Sequence, residues 1–175
     1  MKNMGKVFEE DFKKSVPDYC MVHRLKDTAQ SYNNSKKTKF TWENPCDFFV
    51  FSTKTHTLFA IECKSTKYKS IAYQVNKDDG TKMIKYHQIK SLNELSDYDG
   101  IISGFIFNFR DEEKNLQRTY FQNIIDFNTM CKDIAKKSFN EMDLLLNNGI
   151  KINGEKKRTR YVWNIDGLLK KITEV

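Results

Sequence analysis

The sequence predicts an α/β fold in which a mixed β-sheet is flanked by helices. Three observations predict it. Helical and strand patterns follow one another in the order α, β-strands, α, β-strands, α, which layers helices on a sheet. The stretch from Gly100 to Phe109 is almost continuously apolar, as a central strand covered on both faces must be. With 175 residues, 39% of them apolar and 30% charged, the chain has globular composition and the length for one domain with a sizeable core, spanning 1–175.

Each element has its own signal. Residues 5–15, GKVFEEDFKKS, read as a helix with Val7, Phe8 and Phe12 near one face. YCMVHRLKD at 19–27 reads as a short strand. The polar, basic run at 28–45 is loop-like, in part a hairpin, and Asn44-Pro45 ends it. DFFVFST at 47–53 and TLFAIECKS at 57–65 are strands joined by a short turn around Thr55-His56. Residues 66–81 are expected to be a mobile loop. KMIKYHQIKSLNELS at 82–96 is expected as a helix with Ile84, Gln88, Leu92 and Leu95 on one face. Strands follow at 100–110 and 117–124, separated by the DEEKN turn, and then a helix over about 126–137. SFNEMDLLLNNG shows a capping-box pattern, Ser138 with Glu141, and Gly149 as terminator. NIDGLLKKITE closes the chain as a short helix.

Composition excludes several classes. No cysteine of Cys20, Cys46, Cys63 and Cys131 forms a CxxC pair, and the three histidines are scattered, so a structural zinc site is not expected. Reduced cysteines fit a cytoplasmic protein better than disulfides do. The N-terminal MKNMGKVFEEDF has no apolar signal region, and no apolar run is long enough to cross a bilayer. Lys and Arg exceed Asp and Glu by 30 to 23, a net charge of +7, which favours a polyanionic partner, most commonly nucleic acid. An unpartnered cationic surface is the plainer alternative.

The stretch FAIECKST, 59–66, carries chemistry. Alternation along a strand puts Glu62 and Lys64 on one face and Cys63 on the other. A Glu beside Phe59, Ala60 and Ile61 needs partners; Lys64 is one, and a metal ion would be another. Asp47 opens the preceding strand. Pairing the two strands about residue 55 sets 48 opposite 62, so Asp47 falls within one residue of Glu62, with the parity off by one. Two carboxylates and a lysine at one strand end suit a hard cation such as Mg²⁺, with the lysine serving a phosphate. A surface ion pair is the bland reading of the same residues. Glu9, Glu10 and Asp11 offer a third acid, and the residues alone do not choose among them. Gln88 is either a hydrogen-bonded core residue or a group aimed into the site.

These residues carry a resemblance. NPCDFF…FAIECKST resembles the PD-(D/E)xK nuclease pattern, with Pro45, Asp47, Glu62 and Lys64 in its places. Within that superfamily the chain resembles the RecU-type Holliday-junction resolvases. GKVFEEDF is similar to their Gly-x-x-x-Glu helix, which selects Glu9. VHRLKDT is similar to their basic strand, and YHQIKSL to their His-Gln-Ile helix. KKSFNEMDLLLNNG with the basic KKRTRYVWNIDGLL is similar to their C-terminal end. The likeness spans about residues 5–170. It implies a restriction-endonuclease-like fold and a homodimer that uses Mg²⁺, with Mn²⁺ as a substitute, to nick opposed strands of a four-way junction. It further implies Glu9, Asp47 and Glu62 as metal ligands and Lys64 as the group that positions water or stabilises the transition state. Gln88 is implied at the water or scissile phosphate, with His87 a further candidate.

Two features depart from that family. No glycine follows soon after Asp47, and the interval at about 28–45 is shorter than the family's protruding stalk, which is implicated in junction binding. The small size and divergence suit a bacteriophage or mobile-element version. Basic clusters lie at 33–40, 64–70 and 155–161. Arg24, Lys36, Lys37, Lys39, Lys67 and Lys69 flank the proposed site and are the expected DNA contacts, giving sequence-neutral, salt-dependent affinity. Another PD-(D/E)xK nuclease, of restriction or exonuclease type, and a non-catalytic DNA-binding protein on the same scaffold stay open as alternatives.

Overall fold

The computed structural model describes residues 3–25 and 44–173. Helix α1 (Met4–Lys13) leads into β1 (Cys20–Arg24). After residues 26–43, which hold most of the expected loop together with Lys36, Lys37 and Lys39 and lie outside the described residues, come β2 (Phe48–Ser52), β3 (Thr57–Thr66) and the short β4 (Ser70–Ala72). Helix α2 (Tyr86–Ser96), β5 (Ile101–Asp111), β6 (Leu116–Asn123) and α3 (Ile124–Asp133) follow. The C-terminal part holds β7 (Ser138–Asn140), α4 (Glu141–Leu146), β8 (Ile150–Ile152), β9 (Gly154–Lys156), β10 (Tyr161–Trp163) and α5 (Ile165–Thr173). The expected α/β architecture is what forms: a six-stranded mixed sheet, ordered β1-β2-β3-β5-β6-β8, with helices on both faces.

The β3–β5 pair is parallel, and the other neighbours in the sheet are antiparallel. A parallel pair needs a long crossover, and the chain between β3 and β5 supplies it, α2 included. Alternation divides the side chains of the sheet between two cores. One core joins Phe8 and Phe12 of α1 to Phe48, Val50, Phe59 and Ile61 of the sheet, and to Trp163, Leu168 and Leu169. The other joins Ala60, Phe105, Phe107 and Phe109 to Leu92 of α2, to Phe127 and Met130 of α3, and to Phe139 and Leu144. Phe105, Phe107, Phe127 and Phe139 pack ring on ring, with centroids 4.8–6.2 Å apart, mostly tilted or edge-on. Gly104 in β5 is required by close approach, because a Cβ there would collide with the Gln122 carbonyl and the Phe121 ring.

Several local expectations are corrected. Residues 66–81 are not wholly loop: β4 pairs with β7, and Tyr73 bridges to Ile84. Helix α2 begins at Tyr86, so Ile84 is buried ahead of it rather than on its face. The capping box belongs to Asn140 and Asp143, because Ser138 is taken into β7. Asn140 Oδ1 accepts from the Met142 and Asp143 amides at 2.8 and 3.1 Å, and Asp143 Oδ2 accepts from the Asn140 amide at 2.8 Å. Asn148, at φ 62°, takes the left-handed position beyond α4 that was assigned to Gly149. All four cysteines are free thiols. Among the described residues no helix is long and apolar enough to cross a membrane.

Candidate active site

The site is built where β2 and β3 part. Their register runs Phe48↔Ile61 to Ser52↔Thr57, so the four residues Thr53 to His56 make the turn, with His56 at φ 52°. The centre of pairing thus lies half a residue below the one expected. Continuing the register by one step sets Asp47 opposite Glu62, on the same face, and the parity mismatch in the sequence reading disappears. Asp47 stands just outside the strand. Its backbone amide donates to the Ile61 carbonyl at 3.1 Å, and its carbonyl accepts from the Leu25 amide at 2.8 Å. Its carboxylate turns back and accepts from the Cys63 amide at 2.8 Å.

Glu62 is 3% exposed. Lys64 Nζ donates to Glu62 Oε1 at 2.6 Å, and Gln88 Nε2 makes a short hydrogen bond to the same oxygen. Gln88 is itself held, since its Oε1 accepts from the Lys85 amide at 3.0 Å at the start of α2. One amide side chain therefore caps a helix with its oxygen and reaches the carboxylate with its nitrogen. The Gln88 side chain is half-buried and hydrogen-bonded at both ends, with its amide nitrogen on Glu62.

Burial, and next the charge of Glu62, push the Asp47 carboxyl up to about 7. The Cys63 amide and Lys64 oppose that shift, and Glu9 adds to it weakly. So Asp47, Glu62 and Lys64 act on one another directly, while Glu9 is felt from farther off. Glu9 stands on α1, across the sheet from α2. Arg24 of β1 grips it, with Nε at 2.9 Å and Nη2 at 2.6 Å from Glu9 Oε2. Arg24, expected at the DNA, thus directs its guanidinium to a carboxylate of the same chain.

Among the described residues, no group of three or more His, Cys, Asp and Glu side chains is arranged to hold an ion. Asp47 and Glu62 nevertheless fit one. They are two oxygen donors forced together in a poorly solvated place, and the Asp47 carboxyl is driven toward its neutral form by burial and then by the charge of Glu62, which Lys64 only partly offsets. Mg²⁺ commonly takes only one or two carboxylates and completes its shell with water and substrate phosphate.

Beyond the end of β3, Lys67 and Lys69 are exposed beside a groove of about 500 Å³. Arg110, Lys114 and Arg118 line it too, brought there by the β5–β6 hairpin; nothing local in the sequence flags them. Carboxylates offset them. Arg118 is held by Glu141, at 2.7 and 2.8 Å, and Arg110 by Glu112 at 2.7 Å. The sequence reading also missed Asn108, the polar residue inside the apolar run of β5. It is fully buried and ties Ser65 of β3 to Gln117 and Thr119 of β6 through hydrogen bonds of 2.8–3.1 Å.

No known protein-family profile matches the chain. Over 136 residues it is 40% identical to the SPβ prophage-derived uncharacterized protein YotM of Bacillus subtilis (strain 168), a match covering 77% of this chain. The chain spans about 63% of the length of that relative. Among solved structures, the Archaeoglobus fulgidus Hjc, a Holliday junction resolvase, superimposes with a TM-score of 0.46 at 14% identity, covering 83% of this chain and 90% of that one.

Proposed function

We propose that this chain is a metal-dependent endodeoxyribonuclease of the PD-(D/E)xK kind that cuts branched DNA, with four-way junctions as substrate and paired nicks by a homodimer as outcome. The observation that carries the reading is the pairing of Asp47 with Glu62 at the mouth of the β2–β3 hairpin, with Lys64 and Gln88 both bonded to Glu62. Two carboxylates, a lysine and a primary amide on three separate elements make a costly arrangement for a merely structural purpose, because buried charges need partners and a hydrophobic packing would be no less stable.

Asp47 and Glu62 would hold the ion, and Glu9 is the third carboxylate of the set, engaged by Arg24 in this structure. A bound Mg²⁺ or Mn²⁺ would lower the pKa of a water, polarise the phosphoryl group and neutralise the leaving oxygen. The chain's own residues do the rest. Lys64 is held by Glu62 and, on the arrival of a phosphodiester, can turn its ammonium to the non-bridging oxygens, where negative charge builds up in the transition state. Gln88, fixed at its oxygen end, orients the Glu62 carboxylate and can offer its remaining N–H to water or phosphate. Net positive charge steers DNA to the site without reading its sequence.

A gel assay tests the reading: labelled four-way junction against matched linear duplex, with Mg²⁺, with Mn²⁺ and with chelator. Junction cleavage that needs the metal is the expected result. Cutting of linear duplex at a fixed sequence would replace the junction reading with a restriction-type one. DNA binding with no cleavage under any metal would leave a binding protein on a nuclease scaffold.

A further inference from the structure

The basic stretch at 155–161 plays no part in the site above, yet it is mounted with care. Strands β9 and β10 pair Lys156 with Tyr161, and the turn closes with the Lys157 amide donating to the Arg160 carbonyl at 2.8 Å. Two bonds fix the hairpin, one to α1 and one to the turn just after it: the Tyr161 amide to Asp11 Oδ2 at 3.1 Å, and the Trp163 amide to Ser15 Oγ at 3.0 Å. The Tyr161 and Trp163 rings stack at 5.0 Å, and Phe8 meets Trp163 edge-on at 6.0 Å. A four-residue turn, Lys157-Arg158-Thr159-Arg160, is thereby held rigidly against a helix, although nothing in the packing calls for three cations in it.

Between this turn and α1 lies a cavity of about 450 Å³, lined by Asn3, Lys6, Glu10 and Lys14 of the helix side and by Thr159 and Arg160 of the turn. Cations exceed anions there. The carboxylates that face it are Glu10 and Asp11, and Asp11 is committed to the Tyr161 amide. Arg160 has its Nη1 buried without a hydrogen-bond partner. Among the described residues Lys6, Lys14, Lys156 and Arg158 form no ion pair, whereas Lys157 is paired to Glu155 at 2.6 Å. A guanidinium lacking an acceptor, a hydroxyl and flanking ammonium groups together call for an oxyanion with several oxygens, and a phosphodiester fits them.

We propose that this cradle binds the phosphate backbone of DNA, as a second grip on the same substrate. At about 100° per residue, Val7, Glu10 and Lys14 lie roughly 100–160° round α1 from Glu9. The cradle therefore lies on a different side of α1 from Glu9, the carboxylate of that helix felt at Asp47, and the helix is about 10–12 Å across. With one phosphate per strand every ~3.4 Å of DNA axis, a backbone crosses that distance within a few nucleotides. Helix α1 thus separates the cradle from Glu9, the third carboxylate of the proposed nuclease site. Only the role of this grip in cleavage rests on the nuclease reading; the binding itself does not.

The test compares wild type with Lys156→Ala/Arg158→Ala, with the same pair plus Arg160→Ala, and with a control that removes three exposed lysines elsewhere, Lys77→Ala/Lys132→Ala/Lys136→Ala. The double variant alters only exposed side chains, so a folded protein is available whatever Arg160 does. Fluorescence anisotropy with a labelled four-way junction, run in chelator over a salt series, gives Kd and its salt dependence. The triple variant is expected to bind about 10-fold or more weaker, with the slope of log K against log salt reduced by about 2–3, and the control to shift far less. Single-turnover cleavage at saturating protein should stay at the wild-type rate. Equal losses in triple variant and control, or an unchanged slope, overturn the proposal. A protein that never cleaves but shows the selective loss keeps the cradle and refutes the nuclease; one that cleaves with no selective loss does the reverse.

Discussion

Replacing Asp47 with Asn tests the electrostatics of the site with a measurement that needs no substrate. The folded chain holds the Asp47 carboxyl up to about 7, from a usual value near 4, mainly through burial and then through the charge of Glu62. A group raised in this way favours the fold while protonated. At pH below about 4 it is protonated in both states and costs nothing. As pH climbs from 4 to 7 the unfolded chain ionises it freely and the folded chain does not, so native stability falls; above 7 the loss is complete. Three pH units correspond to an upper limit of roughly 4 kcal/mol. Asn has no such dependence and keeps an oxygen to accept the Cys63 amide. Asp47→Asn should therefore gain about 2–4 kcal/mol at pH 8 and under about 1 kcal/mol at pH 4.5. For a chain of this length, 2–4 kcal/mol is a rise in Tm of roughly 4–16 °C. Thermal melts in chelator at the two pH values measure it. No gain at pH 8, or the same gain at both, would refute the account of a buried carboxylate held beside the charge of Glu62.

Further outcomes follow from the same contacts. Glu62→Gln and Lys64→Ala should each abolish Mg²⁺-dependent cleavage while changing junction Kd by less than about threefold, read by gel and by anisotropy; a loss confined to binding would contradict the roles given to both. With Mn²⁺ added, wild type should melt higher than in chelator and Asp47→Asn should not, since binding to the native state alone raises its stability. Gly104→Ala should cost about 1–3 kcal/mol in denaturant unfolding, because the new methyl meets the Gln122 carbonyl and the Phe121 ring. Phe107→Ala, which empties a fully buried place among three aromatic neighbours, should cost about 3–5 kcal/mol with no change in the sign of any cleavage result.

Long elements were legible in the sequence and short ones were not, for a physical reason. Strands β2, β3, β5 and β6 have the alternation or the apolar run that burial imposes over five residues or more. Strands β4 and β7 are three residues each and exist because Ile71 meets Phe139, 68 positions along the chain, so no local pattern could announce them. The same competition moved the helix cap from Ser138 to Asn140. Of the site, the pairing of Asp47 with Glu62 could be read to within one residue. The remaining error lay in the turn: His56 adopts a left-handed backbone that makes a four-residue connection, and a one-residue change in a hairpin exchanges every face. The engagement of Arg24 with Glu9 was not readable at all, since it depends on where α1 crosses the sheet.

The place of the site follows from strand lengths. β3 has ten residues and β2 has five, so β3 runs on past Ile61 with β5 still beside it and, among the described residues, no strand on its other side. The next amide pointing to that side belongs to Cys63, and an unpaired buried N–H is costly. Asp47 satisfies it with a carboxylate instead of a backbone carbonyl. That choice has consequences an apolar end to the hairpin would not have. A second negative charge is set beside Glu62, burial raises its proton affinity, and Lys64 must lean on Glu62 from the neighbouring position. A Ser or Asn at 47 would terminate the hairpin equally well without any of this. The electrostatic tension is thus not required by the fold; on the proposed function it would be resolved by a cation and a phosphate arriving together, which is the condition the cleavage assay imposes.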